Sequence, residues 1–303
     1  MALSEIAVVH LSSYRGNKGR CEAAGIEGNV SPANFQEGIM KYPTRRCVLI
    51  HGCALLGLFT VGSSLASADV TDEVQKAGVI KIGIFEDFPP FASLGTDMQI
   101  QGYDVDMANL IAKSLGVKAE LVGINGQNRI PYLTEGKVDM LLSIGFSDER
   151  AQVVDFTAPY APYYIVVMGP RDIEVKGPED LKGKTIAVNK GTLEDTEVTK
   201  VAPEGADIQR YNDYAGVISA FLSGQAQLMV VGNDVGATIL AKQPAIEPVE
   251  KFHLLTSPSN MGVKKGESRL QEKLNEILAG MRKDGSLNEL ALKWLKQPLP
   301  KDF

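Results

Sequence analysis

GYDVDMANLIAKSLGVKAELV, residues 102–122, decides how the chain is read. From Tyr103 to Leu115 the apolar residues Val105, Met107, Ala108, Ile111, Ala112 and Leu115 recur at the spacing of a helix face. Lys118 to Val122 then reads as a strand, and upstream Val79 to Ile84 is a second short strand. Downstream the pattern continues with a short helix over Arg129 to Thr134, a strand over Val138 to Leu142 and a β-rich run from Tyr163 to Met168. Alternation of this kind predicts an α/β fold with a largely parallel sheet.

After the polar stretch Gly169 to Lys184 a second series begins. Thr185 to Asn189, Ile208 to Tyr211 and Leu228 to Val231 read as strands, separated by helices over Glu194 to Val201 and Tyr214 to Ser223. This is the pattern of a second α/β lobe. Met261 to Lys264 forms a brief strand, followed by helices over Ser268 to Arg282 and Leu287 to Leu295, with Gly285 as the stop between them. Trp294 reads as packing for the last helix.

The first quarter is different. Thr44-Arg45-Arg46 precedes an apolar run from Cys47 to Val61 that ends in Ser63-Ser64-Leu65-Ala66-Ser67-Ala68, the layout of a signal peptide cleaved after Ala68. The run holds His51 and several glycines and falls short of the roughly 20 apolar residues of a membrane span. Residues 1–39 lack apolar periodicity, and Met40 would open a signal peptide of ordinary proportions. Arg45-Arg46 leaves Sec and twin-arginine export both open. Of the whole chain's 303 residues, the three cysteines, Cys21, Cys47 and Cys53, all precede the cut, so the mature chain has no disulfide, thiol nucleophile or cysteine metal ligand. A net charge of -6 gives no general attraction for nucleic acid.

Gly102-Tyr103-Asp104-Val105-Asp106, Glu135-Gly136-Lys137-Val138-Asp139, Ser147-Asp148-Glu149-Arg150 and Val154-Asp155-Phe156-Thr157 occur in order, followed by Leu181-Lys182-Gly183-Lys184 and Lys190-Gly191-Thr192. Together they resemble the amino-acid-binding branch of periplasmic solute-binding proteins, bacterial extracellular family 3. The resemblance implies a type II two-lobe clamp with the ligand cleft between lobes joined by two hinge strands. With residues 1–68 as the removed segment of the signal-peptide reading, it places 69–163 plus 261–303 in lobe 1 and 164–260 in lobe 2, with crossings near Tyr163-Tyr164 and Asn260-Met261. It implies a periplasmic monomer that captures a small amino acid for an ABC permease in the inner membrane, with no cofactor, no metal and no nucleic-acid partner.

The ligand chemistry has its own logic, because a buried zwitterion needs a cationic fork for its carboxylate and acceptors with an anion for its ammonium. Arg150 supplies the fork and aligns with the family's carboxylate-binding arginine. The resemblance also places Ser143 and Gly145 beside the ligand; many relatives carry a hydroxyl where Gly145 offers only its N–H. Thr192 stands at a helix start that suits a carboxylate or a simple cap. Asp234 aligns with the acid that pairs with the ammonium, or else caps a helix over Val235 to Lys242. Phe88 corresponds to the aromatic wall, while Phe91 reads as core.

Arg129 and Tyr214 resemble residues of the aspartate- and glutamate-binding members, so the expected ligand is aspartate or glutamate. Against this, Phe85 stands where some acidic-ligand binders have another arginine, and Arg129 could serve only the scaffold. Other polar amino acids remain an alternative. So does an enzyme, since the fold is shared with cyclohexadienyl dehydratases and Glu86, Asp87 or Glu194 could act as an acid. No Ser-His-Asp, Cys-His or metal-ligand arrangement supports catalysis, and His253, in a strand-like run, reads as structural.

Overall fold

The computed structural model describes residues 69–303; the signal-peptide segment, the three cysteines and Met40 lie outside the described residues. In chain order the elements of the first half are α1 (Val70–Ala77), β1 (Val79–Phe85), β2 (Ser93–Leu94), β3 (Ile100–Gln101), α2 (Tyr103–Leu115), β4 (Lys118–Ile124), α3 (Arg129–Thr134), β5 (Met140–Ile144) and β6 (Val154–Ala161). Then follow β7 (Tyr164–Gly169), β8 (Thr185–Asn189), α4 (Leu193–Val201), β9 (Asp207–Tyr211), α5 (Tyr214–Leu222), β10 (Leu228–Gly232), α6 (Asn233–Leu240) and β11 (Val249–Thr256). The chain closes with β12 (Ser259–Lys264), α7 (Ser268–Asp284) and α8 (Ser286–Trp294).

Two five-stranded sheets organise these elements, in the orders β4-β1-β5-β12-β6 and β11-β7-β10-β8-β9. Each sheet is mixed, which corrects the expectation of largely parallel pairing. In the first, β1 runs parallel to β4 and β5, whereas β12 is antiparallel to β5 and β6. In the second, β8 is parallel to β9 and β10, whereas β7 is antiparallel to β10 and β11. The reason is topological: β7 and β12, by which the chain enters the second lobe and re-enters the first, run against the strands wound by helical crossovers.

The chain passes from the first sheet to the second between Ala161 and Tyr164, and returns at Ser257-Pro258. Ser259 and Asn260 already pair with Ala161 and Pro159 of β6, so the return lies upstream of Asn260-Met261. The helix over 103–115 buries Val105, Met107, Ala108, Ile111, Ala112 and Leu115, the residues whose spacing defined it. Gly116 ends it in the left-handed conformation with its N–H returned to Ala112. Trp294 packs against the core and donates its indole N–H to Asp106 at 2.7 Å.

Candidate functional site: a charged cavity between the two sheets

A small cavity lies between the lobes. The first lobe contributes Phe88, Arg129, Ser143, Gly145, Arg150 and Ser259, and the second contributes Ile165, Leu193, Glu194 and Tyr214. Tyr163 and Ser257, one at each crossing, complete it. The lobes touch beside it: a Cβ on Gly126 would lie 2.2 Å from the Lys190 carbonyl oxygen, and one on Gly191 would lie 2.9 Å from the Gly126 oxygen. Only glycine permits that approach of backbone to backbone.

Arg150 follows β5 on a short 3-10 turn, and its Nη1 donates to the Gly145 carbonyl at 3.0 Å. The tether fixes the guanidinium while leaving its other N–H groups free to meet an anion. Arg129 opens α3, is 3% exposed, and sits with its guanidinium carbon 5.4 Å from the Phe85 ring centre. Its Nε has no hydrogen-bond partner among the described residues. Burial pulls Arg150 down to about 9, and the neighbouring Arg129 adds to the effect. Burial likewise lowers Arg129, partly offset by Tyr214, Glu194 and Tyr163. Two cations held in one low-dielectric space favour an anionic occupant.

Facing them, Glu194 is 3% exposed, and its Oε1 accepts from the Tyr163 hydroxyl at 2.7 Å and the Tyr214 hydroxyl at 3.2 Å. Burial and the nearby Glu194 raise both tyrosines well above their ordinary pKa, so they remain neutral donors. Tyr214 also stacks on Phe88 with ring centres 4.5 Å apart, and Phe88 stacks in turn on the fully buried Phe91 at 4.8 Å. The aromatic wall therefore spans both lobes.

Ser143 lies at the end of β5 with φ at 47°, a left-handed conformation uncommon for serine. A buried network holds it there. Its N–H donates to the Tyr160 hydroxyl at 2.8 Å, its own hydroxyl donates to Asp104 at 2.7 Å, and Tyr160 donates to Asp104 at 2.6 Å. When Asp104 is ionised, the Ser143 proton is committed to it and the hydroxyl presents lone pairs, an acceptor, to the cavity. Burial pushes the Asp104 carboxyl up to about 7 against the pull of these two donors. Gly145 has no room for a side chain, since a Cβ would fall 2.5 Å from Leu193 Cδ1 and 2.5 Å from Ser257 Oγ.

Six of the eight residues singled out in the sequence line this cavity: Phe88, Arg129, Ser143, Gly145, Arg150 and Tyr214. Thr192 and Asp234 do not. Thr192 caps α4, accepting from the Asp195 N–H at 3.4 Å while its hydroxyl donates to the Asn189 carbonyl at 2.7 Å. Asp234 lies inside the first turn of α6 rather than at its cap, which is Gly232. Its Oδ2 is buried without a partner among the described residues, and burial pushes the carboxyl up to about 6. The sequence reading missed Tyr163, Ser257 and Ser259 as cavity residues, and considered Glu194 only as a catalytic acid. A hydroxyl-Pro-hydroxyl run at the predicted crossing was the available signal for Ser257 and Ser259. Of the other acids weighed for catalysis, Asp87 accepts from the Ala215 N–H, and Glu86 lies against Gly123. His253 stands on β11, 3.1 Å from the Thr256 hydroxyl.

The model of bacterial extracellular solute-binding proteins, family 3, matches residues 80–297. The chain belongs to that family. Among curated relatives, the L-cystine-binding protein of Escherichia coli is 27% identical, over 80% of this chain and 94% of its own. The glutamine-binding ABC transporter protein of Bacillus subtilis is 26% identical, over 82% and 93%. An ancestral amino acid-binding protein described as a precursor of cyclohexadienyl dehydratase superposes with a TM-score of 0.68 at 32% identity, covering 74% of this chain and 99% of its own. An ancestral arginine-binding protein bound to arginine matches with a TM-score of 0.68 at 30% identity, covering 72% and 98%. The family 3 fold is thus the type II two-lobe clamp, and the cavity lies between its lobes. Among the described residues no helix is long and apolar enough to cross a membrane.

Proposed function

We propose that the protein captures an amino acid outside the cytoplasmic membrane and delivers it to an ABC permease, and that its ligand is aspartate or glutamate. The observation that carries this reading is the pair of buried arginines, Arg129 and Arg150, lining one cavity with a single carboxylate, Glu194. An α-amino acid with a carboxylate side chain brings two anions and one cation, the mirror of that set. Arg150 takes the α-carboxylate and Arg129 the side-chain carboxylate, with Phe88 and Tyr214 as the wall and Ser143 and Gly145 as polar floor. A neutral amino acid would leave one buried guanidinium uncompensated, which is costly. Cystine, bound by the E. coli relative, also carries two carboxylates but adds a second ammonium, for which the cavity lining holds no second carboxylate.

The family and its amino-acid-binding relatives support a binding role without catalysis, and export follows from the signal-peptide layout of residues 44–68. A thermal-shift screen of all amino acids tests this reading, because a ligand that binds only the folded state raises its melting temperature with concentration. Stabilisation by aspartate or glutamate is expected, and none by any amino acid would refute the binding assignment. A dehydratase reading has one specific observation in its favour, an acid, Glu194, on the cavity wall of a chain resembling a dehydratase precursor. Incubation with prephenate or arogenate is expected to yield no phenylpyruvate or phenylalanine.

A further inference from the structure

We infer that Glu194, rather than Asp234, receives the ligand's ammonium, and that Tyr163 and Tyr214 aim it for that contact. The inference rests on the reading of this cavity as an amino-acid site. Glu194 is the carboxylate among the lining residues, and both of its hydrogen bonds fall on Oε1, leaving Oε2 with none among the described residues. A carboxylate has roughly four lone-pair sites, so two neutral donors orient it without exhausting it. Its charge is not consumed by a salt bridge to Arg129 or Arg150 among the described residues, although both feel it.

Asp234 is placed otherwise. The Tyr163 ring lies against Gly232, where a Cβ would sit 2.0 Å from Cε2, and so covers the end of β10 at which α6 begins. Asp234 follows two residues later, buried and absent from the cavity lining. The hydroxyl of that same Tyr163 reaches Glu194. One tyrosine therefore fills the space beside the end of β10 and positions Glu194. A ligand that lacks the amine would leave Glu194 buried, unpaired and repelled by the incoming anion, so the cavity should reject dicarboxylates that are not amino acids.

Titration calorimetry with L-glutamate and with glutarate, its counterpart without the amine, tests this on the wild type, Glu194→Gln and Asp234→Asn. The wild type should prefer glutamate by about 10- to 100-fold, the worth of a hydrogen bond to a charged group. Glu194→Gln keeps an oxygen for the tyrosines but loses the charge, and should bring the two ligands within about threefold, on the same scale. Asp234→Asn should keep the wild-type preference. A preference retained in Glu194→Gln, or lost in Asp234→Asn, would overturn the assignment. If Glu194→Gln does not fold, the Asp234→Asn result decides in the same two directions. A wild type that binds L-glutamine but not glutamate would fail the acidic-ligand reading alone; L-glutamine against glutaramate, on the same variants, then reads Glu194 with the same outcomes.

Discussion

The Asp87 carboxylate accepts a 2.8 Å hydrogen bond from the Ala215 N–H, joining the loop after β1 to the first turn of α5 in the opposite lobe. Asp213, the cap of α5, holds the neighbouring Gly216 N–H at 2.7 Å. The helix start thus takes one carboxylate from its own lobe and one from the other, each favoured by the positive end of the helix dipole. Asp87 is a latch between the lobes.

Removing the latch should loosen closure without touching the cavity. Asp87→Ala is expected to weaken ligand binding by about three- to tenfold, since a capping carboxylate contributes roughly 1 kcal/mol. The change should appear as faster dissociation in stopped-flow measurements. An unchanged dissociation rate would show that the contact adds nothing to the closed form.

A second contact between lobes should be less forgiving. Gly126→Ala drives a methyl into the Lys190 carbonyl, 2.2 Å away, and backbone cannot swing aside as a side chain can. The variant should fold, because the clash falls between lobes rather than within a core. Its affinity should drop by at least tenfold, or about 1.4 kcal/mol. Small-angle scattering should find it more extended than the wild type in saturating ligand, and equal dimensions would contradict this.

Arg150→Lys keeps the charge but loses the planar fork and the orienting bond to the Gly145 carbonyl. Amino-acid binding measured by calorimetry should fall by about 100-fold, near the upper value for a hydrogen bond to a charged group. Wild-type affinity in this variant would remove Arg150 from the carboxylate role.

The buried Asp104 predicts a pH dependence of stability. Its carboxyl stands at about 7 in the fold against an ordinary 3.8, so between those values the folded protein holds a proton that the unfolded chain has released. Its contribution is therefore most favourable at low pH, declines as pH rises from about 4 to about 7, and is flat above. The slope is at most about 1.4 kcal/mol per pH unit. Denaturant titrations of the wild type and Asp104→Asn across this range should show their difference changing in that direction. A difference independent of pH would contradict the assignment.

Helix periodicity made α2 legible to the residue, and the alternation of strands and helices gave two α/β lobes. What periodicity could not give was strand direction, because β6, β7, β11 and β12 owe their antiparallel pairing to the crossings rather than to local pattern. β6 contains Pro159 and did not stand out as a strand, and β11, with Glu250 and Lys251 among its residues, showed only as a strand-like run around His253. Within the cavity, Arg129 and Arg150 were legible through the family resemblance, since an arginine seen alone is ordinarily a solvated charge. Glu194 was harder to place, since an acid in the first turn of a helix is ordinarily explained by the helix itself. Only the tertiary meeting of α4 with Tyr163 and Tyr214 turns that acid toward the cavity.

On the proposed function, Arg129 and Arg150 together select an amino acid with a second carboxylate. Calorimetry with glutamate, glutamine, aspartate, asparagine and arginine, repeated on Arg129→Met, tests it most directly, because charge-assisted hydrogen bonds from a second guanidinium are roughly twice as strong as neutral ones. The wild type should prefer each acid to its amide by about tenfold or more, and Arg129→Met should lose that preference while still binding an amino acid. Equal or tighter binding of glutamine than of glutamate by the wild type would contradict the claim.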